Sequence, residues 1–367
     1  MKILYFYESL PIGGAEMIIT NYLVELSRRG HKVFLVEKFK TKSFLYDKLI
    51  SNGVQIFTLY SGAIGRINYR LLYGLIGYKK LNSVIKIINP DVVHVHTYSR
   101  VVDKLAIPMD RLFFTFHTQV KRALQYSEKG FLGAARRASA QGMRFVAISK
   151  DIKTDLQRII PDAQITVIPN GLDIKAIKQE KYDRQVFLSQ LGIKEDAFII
   201  GHVGRFHPVK NHSKLIRVFA QVLSRKKNAY LFLVGTGTEQ EQLTIKNLLQ
   251  EYRVEQNTIM FGVRQDAAKI MSVFDAFVLP SKVEGFPLVA VEAQAHNVRS
   301  IFSTGVPAEV VRNENAFRLD LNESDEKWAE YILSDFIHKP VGDINDFSLD
   351  KVIDSHLELY AQVKNGK

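Results

Sequence analysis

Two loops in this 367-residue chain carry residue types that suit a diphosphate and a sugar. The first reads Gly204-Arg205-Phe206-His207-Pro208-Val209-Lys210-Asn211, after an apolar run and before a helical pattern. A guanidinium offers phosphate oxygens a planar fork of donors and an ammonium offers a point charge, so Arg205 and Lys210 together suit a diphosphate. The second reads Pro280-Ser281-Lys282-Val283-Glu284-Gly285-Phe286-Pro287, with Glu292 further on. Pro287 suits the first turn of a helix, and the free N–H groups of that turn can cradle a phosphate. Glu284 can accept from sugar hydroxyls. Glu292, about one and a half helical turns in, can take a ribose diol. The apolar neighbours Leu288, Val289, Val291 and Ala293 argue against a simply solvated glutamate there.

Two glycine turns stand nearby in the pattern. In Pro11-Ile12-Gly13-Gly14-Ala15-Glu16 the glycines let backbone approach a ligand, and the following helix start favours an anion. A tight structural turn explains the same residues equally well. Val234-Gly235-Thr236-Gly237-Thr238-Glu239 could hold a dinucleotide, but the next strand, Ile259-Met260-Phe261-Gly262-Val263, lacks the ribose-binding carboxylate. It therefore reads as a close-packed strand-helix turn near the donor. No Asp-x-Asp occurs, so cations rather than a bridging metal are expected to neutralise a diphosphate. No metal and no cofactor is expected.

The elements that must position these loops alternate. Strands are expected at residues 3–7, 32–37, 54–58, 92–95, 112–116, 144–148 and 165–168, with helices at 15–29, 44–51 and 69–88, the last stopped at Asn89-Pro90. The pattern then restarts, with strands at 198–203, 230–234, 258–261, 276–279 and 299–302. Helices fall near 212–226, 238–251, 266–273 and 287–296, and a last amphipathic helix at 350–363. Strands separated by helices imply parallel sheets covered on both faces. The expected architecture is α/β, two Rossmann-like doubly wound domains: residues 1–183, residues 184–349, and a terminal helix at 350–367 that could cross back to the first. A hinge is expected near residues 170–184, and ligands at the carboxyl ends of the strands facing an interdomain cleft.

Composition narrows the classes. The chain has no cysteine, which excludes disulfides, thiolate metal sites and cysteine nucleophiles. No run approaches a membrane span, and residues 1–7 read as a buried strand rather than a leader. The formal charge is +12, and it is lopsided. Residues 1–185 hold 29 Lys and Arg against 15 Asp and Glu, a net +14; the remainder holds 21 against 23. An anionic partner for the first half follows. Residues 66–80 and 119–144 mix cations (Arg66, Arg70, Lys79, Lys80; Lys121, Arg122, Lys129, Arg136, Arg137, Arg144) with apolar residues such as Tyr73, Leu124, Phe131 and Leu132. That is the composition of an interfacial helix lying on a bilayer, a reading preferred to a core helix with a basic outer face. The first alternative predicts a protein on the anionic inner face of the plasma membrane.

Taken together, Gly204-x-x-x-x-x-Lys210 after a strand, then Glu284-Gly285-Phe286-Pro287 and Glu292, resemble GT-B retaining glycosyltransferases of family 4. Asn170-Gly171-Leu172-Asp173 is similar to that family's hinge motif, and His117 to its N-domain histidine. Residues 303–310 and Glu326-Lys327-Trp328-Ala329 resemble the bacterial exopolysaccharide and capsule subgroup, although Ala295-His296-Asn297-Val298-Arg299 departs from the family's usual Gly-x-Pro. The resemblance implies transfer of a hexosyl or N-acetylhexosaminyl group from a nucleotide sugar, a UDP-sugar, to a glycan or lipid-diphosphate-linked acceptor. Arg205 and Lys210 would hold the diphosphate, Glu284 would orient the donor sugar, and Gly285, Phe286 and Pro287 would present loop amides. Glu292 would hold the ribose and the Val263 backbone would meet the base. His117 would contact the donor sugar, and Gly13, Gly14 and Glu16 would border the phosphates and acceptor. A nicotinamide-dependent oxidoreductase is the alternative enzyme, without its fingerprint. A basic nucleic-acid binder is the alternative binding protein, without a recognition motif, so no nucleic-acid partner is expected.

Overall fold

The computed structural model describes residues 1–11, 13–60, 78–127 and 130–364, and these divide into two compact units. Unit 1 comprises residues 1–172 and 349–367, and unit 2 residues 173–348. The first boundary thus falls before the expected 183, because the helix Ile174–Gln179 goes with unit 2.

Unit 1 is built on seven strands: β1 Lys2–Tyr7, β2 Lys32–Phe39, β3 Gln55–Tyr60, β4 Val92–Val95, β5 Leu112–Phe116, β6 Arg144–Ala147 and β7 Ile165–Val167. All pair in parallel, in the order β3-β2-β1-β4-β5-β6-β7. The central strands are buried along most of their length, as both-face coverage requires. The helix Gly14–Arg28 buries the stripe Ile18, Ile19, Tyr22, Leu23 and Leu26. Its other end meets the terminal helix Leu349–Lys364, where Arg29 bonds Glu25, Asp350 and Asp354. Gly171 is needed for that packing, since a Cβ there would lie 2.9 Å from Val352. Tyr360 of the same helix bonds Tyr5 and His94 inside the unit.

Unit 2 has six strands: β8 Phe198–Val203, β9 Ala229–Val234, β10 Thr258–Gly262, β11 Ala276–Leu279, β12 Arg299–Ser303 and β13 Ala316–Leu319. These are also parallel, in the order β10-β9-β8-β11-β12-β13. On one face Phe219, Leu231, Leu233, Ile245 and the fully buried Trp328 form the core. The helix Glu239–Glu251 starts where Thr238 and Glu241 make a reciprocal capping box.

Most expected elements lie within a few residues of the observed ones. The differences have local causes. The strand β13 was not expected: its four residues, Ala-Phe-Arg-Leu, alternate weakly and lie at a sheet edge. The helix Lys150–Ile159 was not assigned either, and the helical segment read at 119–144 contains two helices, Val120–Tyr126 and Phe131–Ala140. The expected helix 266–273 is a single turn, Ala267–Ile270, that tightens into a 3-10 turn at Met271–Val273. Of the expected helix 69–88, Tyr78–Ile88 is observed and 69–77 lies outside the described residues.

Candidate active site

The strand order of unit 2 reverses between β8 and β11, which pair at Ala276–Ile200 and Phe277–Gly201. Loops leaving two such strands go to opposite sides and open a crevice at their carboxyl ends. The two motif loops leave from these two strands. Their backbones are tied where Lys282 N–H donates to Val209 C=O at 2.7 Å. Lys210 Nζ then reaches Glu284 Oε1 at 2.7 Å, with the side chains only 19% and 14% exposed. Glu284 N–H is held by Gly305 C=O at 2.9 Å. A Cβ on Gly305 would sit 2.5 Å from the carbonyls of Ser281 and Lys282, so only glycine allows this approach. Gly305 was not among the expected site residues, and nothing in its local spacing marks it.

Arg205 is exposed, and its guanidinium has no hydrogen-bond partner among the described residues. Its loop is braced from below, with Gly204 N–H donating to Val234 and Phe206 N–H to Thr236. Gly235 has φ +137°, and a Cβ there would lie 2.0 Å from the Gly204 carbonyl oxygen. The Gly235-x-Gly237 turn therefore packs against the cation loop, as the missing ribose carboxylate suggests.

Phe286 is buried against Phe347, which fixes the loop at Gly285. Pro287 is the residue before the helix Leu288–Ala295, not its first turn, and no side chain caps that end. Glu292 is half-buried on this helix, with no side-chain partner among the described residues. Lost hydration pushes its carboxyl up to about 7. Such a group gains from any donor that reaches it. Val263 follows β10 and is 71% exposed, and its backbone N–H and C=O have no partner among the described residues.

The residues expected in unit 1 are placed differently. Tyr7 Oη donates to Glu16 Oε1 at 2.8 Å, and a Cβ on Gly13 would lie 2.4 Å from Glu16 Oε2. The Glu16 carboxylate thus folds back over Gly13 at the start of the helix Gly14–Arg28. A phosphate could approach Gly13 and Gly14 only by displacing it. His117 follows β5, and its Nε2 is hydrogen-bonded to His96 Nδ1 at 2.8 Å. Its Nδ1 is buried without a partner, and burial lowers its pKa to about 4. His96 was missed by sequence reasoning; its signal is the alternation His94-Val95-His96, which puts both rings on one face of β4.

Within the basic segment at 119–144, the helix Phe131–Ala140 faces inward on its apolar side. Phe131, Ala134, Ala135 and Ala138 are in the core, Arg137 pairs with Asp103 at 2.7 Å, and Arg136 bonds the Ile159 carbonyl. Arg144 is buried on β6 and bonds Gln362. The Phe131–Ala140 helix is therefore a core helix with a charged outer face, which corrects the interfacial-helix expectation there. Residues 66–77 of the other basic segment, and Lys129, lie outside the described residues. Among the described residues, no helix is long and apolar enough to cross a membrane.

Two family descriptions match successive parts of the chain: Glycosyltransferase Family 4 over residues 12–176 and Glycosyl transferases group 1 over residues 183–339. The chain belongs to the GT-B glycosyltransferases of the family 4 type. This glycosyltransferase is 28% identical over 346 residues to the glycosyltransferase EpsF of Bacillus subtilis, covering 90% of this chain and 86% of that one. It is 29% identical over 174 residues to the UDP-Gal:alpha-D-GlcNAc-diphosphoundecaprenol alpha-1,3-galactosyltransferase of Escherichia coli, covering 44% and 43%. Its fold is that of HepE from Anabaena, solved in complex with UDP-glucose, with a TM-score of 0.78 over 99% of this chain and 100% of that one at 19% identity.

Proposed function

We propose that this glycosyltransferase takes a UDP-sugar and transfers the sugar, with retention of anomeric configuration, to a glycan or lipid-diphosphate-linked acceptor. The observation that carries the reading is the convergence at the β8–β11 switch point. An uncommitted Arg205 and the Lys210–Glu284 pair sit on loops whose backbones are tied to each other. Breaking a sugar–diphosphate bond puts negative charge on the leaving phosphate and positive charge on the sugar. Fixed cations meet the first without reorganisation. Glu284, released from Lys210 when the diphosphate arrives, is then free to accept from the sugar hydroxyls. The amides at the start of Leu288–Ala295 add positive potential, Glu292 accepts from the ribose, and the Val263 backbone offers one donor and one acceptor to a base edge. Retention follows if the leaving phosphate, on the same face as the incoming hydroxyl, takes its proton. No divalent metal is assigned a part.

The acceptor side rests on different observations. The relative from Escherichia coli is named for a diphosphoundecaprenol substrate, and residues 1–185 carry a net +14. A lipid-linked acceptor at an anionic inner membrane surface fits both, with attachment by charge rather than by burying Phe131. Thermal shift and slow hydrolysis against a panel of nucleotide sugars test the donor reading. One UDP-sugar should stabilise and be hydrolysed selectively. Stabilisation by NAD with none from any nucleotide sugar would replace this reading with the oxidoreductase one.

A further inference from the structure

His202 is fully buried one residue before the end of β8, and only half of its ring is accounted for. The β8–β11 ladder pairs Ala276 with Ile200 and Phe277 with Gly201 and goes no further. At the next position His202 Nδ1 bonds the Val278 carbonyl at 2.8 Å. A carbonyl only accepts, so Nδ1 carries the proton and Nε2 presents a lone pair. Burial first, then the neighbouring His212 and Lys210, hold the ring well below the usual histidine range, which keeps it neutral. That Nε2 is buried with no partner among the described residues. The His212 ring stands edge-on at 4.7 Å without taking the lone pair, and its own Nε2 is likewise without a partner among the described residues.

A strut to Val278 explains Nδ1 and leaves Nε2 unexplained. A buried acceptor left unmade carries its desolvation cost with nothing to offset it, and a strut needs only one polar atom. What approaches Nε2 is Lys210. A Cβ on Gly204 would lie 3.3 Å from His202 Nε2 and 3.3 Å from Lys210 Cε. The lysine stem and the lone pair thus meet over the bare face of Gly204, one bond short of the ammonium. The ammonium itself is on Glu284 at 2.7 Å. A carboxylate partner cancels the charge that a diphosphate needs. A neutral imidazole fixes the ammonium and leaves its charge in place.

We propose that His202 is a positioning residue for Lys210: once the donor's diphosphate has drawn Lys210 from Glu284, the ammonium donates one hydrogen to His202 Nε2 and turns the other two to the phosphates. Rotation about the last bonds of the lysine side chain exchanges the partners. Glu284 is then free for the sugar, and Lys210 stays fixed at full charge. His202 touches neither the substrate nor the reacting atoms. The inference rests on the reading that Lys210 holds the diphosphate of a nucleotide sugar.

Calorimetric Kd values for UDP and for uridine, together with turnover of the UDP-sugar, test it on the full chain. His202→Asn keeps an amide donor at the Nδ1 position and has no acceptor at the Nε2 position; His202→Gln does the reverse. His202→Asn should weaken UDP roughly tenfold, the scale of one hydrogen bond to a charged group, slow turnover by a similar factor and leave uridine unchanged. His202→Gln should recover most of the UDP affinity even though it loses the Val278 bond and melts lower. A strut alone gives the opposite order, with the asparagine variant nearer wild type, and that order would overturn the proposal. In a Lys210→Ala background His202→Asn should change UDP binding little, and the full loss there would overturn it too. Nitrogen NMR of the wild-type protein needs no variant to fold: UDP should move the His202 Nε2 resonance toward that of a hydrogen-bonded nitrogen, and an unmoved resonance counts against the proposal. UDP binding unaffected by Lys210→Ala would overturn the diphosphate reading, and the inference with it.

Discussion

Glu292 offers a prediction in which binding and protonation are one event. Burial pushes its carboxyl up to about 7 from the ordinary 4.5, because water is removed and no side chain replaces it. That difference corresponds to about 3 kcal/mol disfavouring the anion in place. The sign follows directly. The unfolded chain loses this proton near pH 4.5 and the folded chain keeps it to about 7, so the group lowers stability as pH rises through that window. A ribose diol reverses the balance, since two hydroxyls donating to the carboxylate favour the anion. Donor binding should therefore expel the proton. At pH 6.5 about three-quarters of the free protein carries it, so titration with UDP-glucose should release about 0.7 proton. This diphosphate diester has no proton of its own to lose near neutrality. The assay is calorimetry in two buffers of different ionisation enthalpy, repeated with Glu292→Gln. The glutamine variant should release none and bind about tenfold more weakly at pH 8, for a lost charged acceptor worth about 1.5 kcal/mol. Wild-type affinity should fall up to tenfold per pH unit below 7. Equal proton release in both proteins, or none in either, would refute the ribose role of Glu292.

Four further outcomes follow from the same geometry. Glu284→Gln frees Lys210 from its 2.7 Å partner, so UDP should bind several-fold more tightly while sugar transfer slows, and weaker UDP binding would show that the pair holds the loop rather than competing with the donor. Arg205→Ala should cost about 3 kcal/mol of transition-state stabilisation, with wild-type turnover persisting in excess EDTA; normal Arg205→Ala rates, or EDTA inactivation reversed by magnesium or manganese, would break the cation-only account. Burial holds His94, His96, His117 and His356 of unit 1 below the usual histidine range, so each is neutral when folded but charged when unfolded below pH 6.5. Urea denaturation should show stability falling as pH drops from 6.5 to 5, by at most about 1.4 kcal/mol per pH unit for His356, and His356→Leu should remove that increment; a flat profile contradicts their burial. Anionic vesicles should sediment the protein at low salt and release it at high salt, less effectively for a Lys79→Glu and Lys121→Glu double variant, and protein remaining in the supernatant favours a soluble acceptor.

How legible the sequence was depended on range. The sheets could be read because buried parallel strands are short continuous apolar runs bounded by helical patterns, as at Ile3–Phe6 and Val92–Val95. The cation loop and the Glu284 loop could be read because each sits at a strand end with its ligand types within a few residues. What could not be read was set by contacts distant in sequence. Nothing near Gly305 announces that it holds Glu284, and nothing near His202 announces Val278. The Gly13-Gly14 turn looked like an anion cradle because the motif alone cannot show where the Glu16 side chain points. Phe131 among cations read as a bilayer-facing residue, and only the packing of Ala134, Ala135 and Ala138 beside it shows that it faces the core. The +14 of residues 1–185 is real, yet Arg144 is buried and Arg137 is paired, so the formal count overstates the charge free to meet a partner.

The central claim is that unit 2 activates a UDP-sugar for transfer with retention. Proton NMR of the enzyme with the α-configured UDP-sugar selected from the panel, following the first-formed product before mutarotation, tests it most directly. The account predicts that the α-anomer appears first, alongside UDP, and that Arg205→Ala suppresses both. A first-formed β-anomer would contradict retention, and release of UDP unaffected by Arg205→Ala would contradict the site itself.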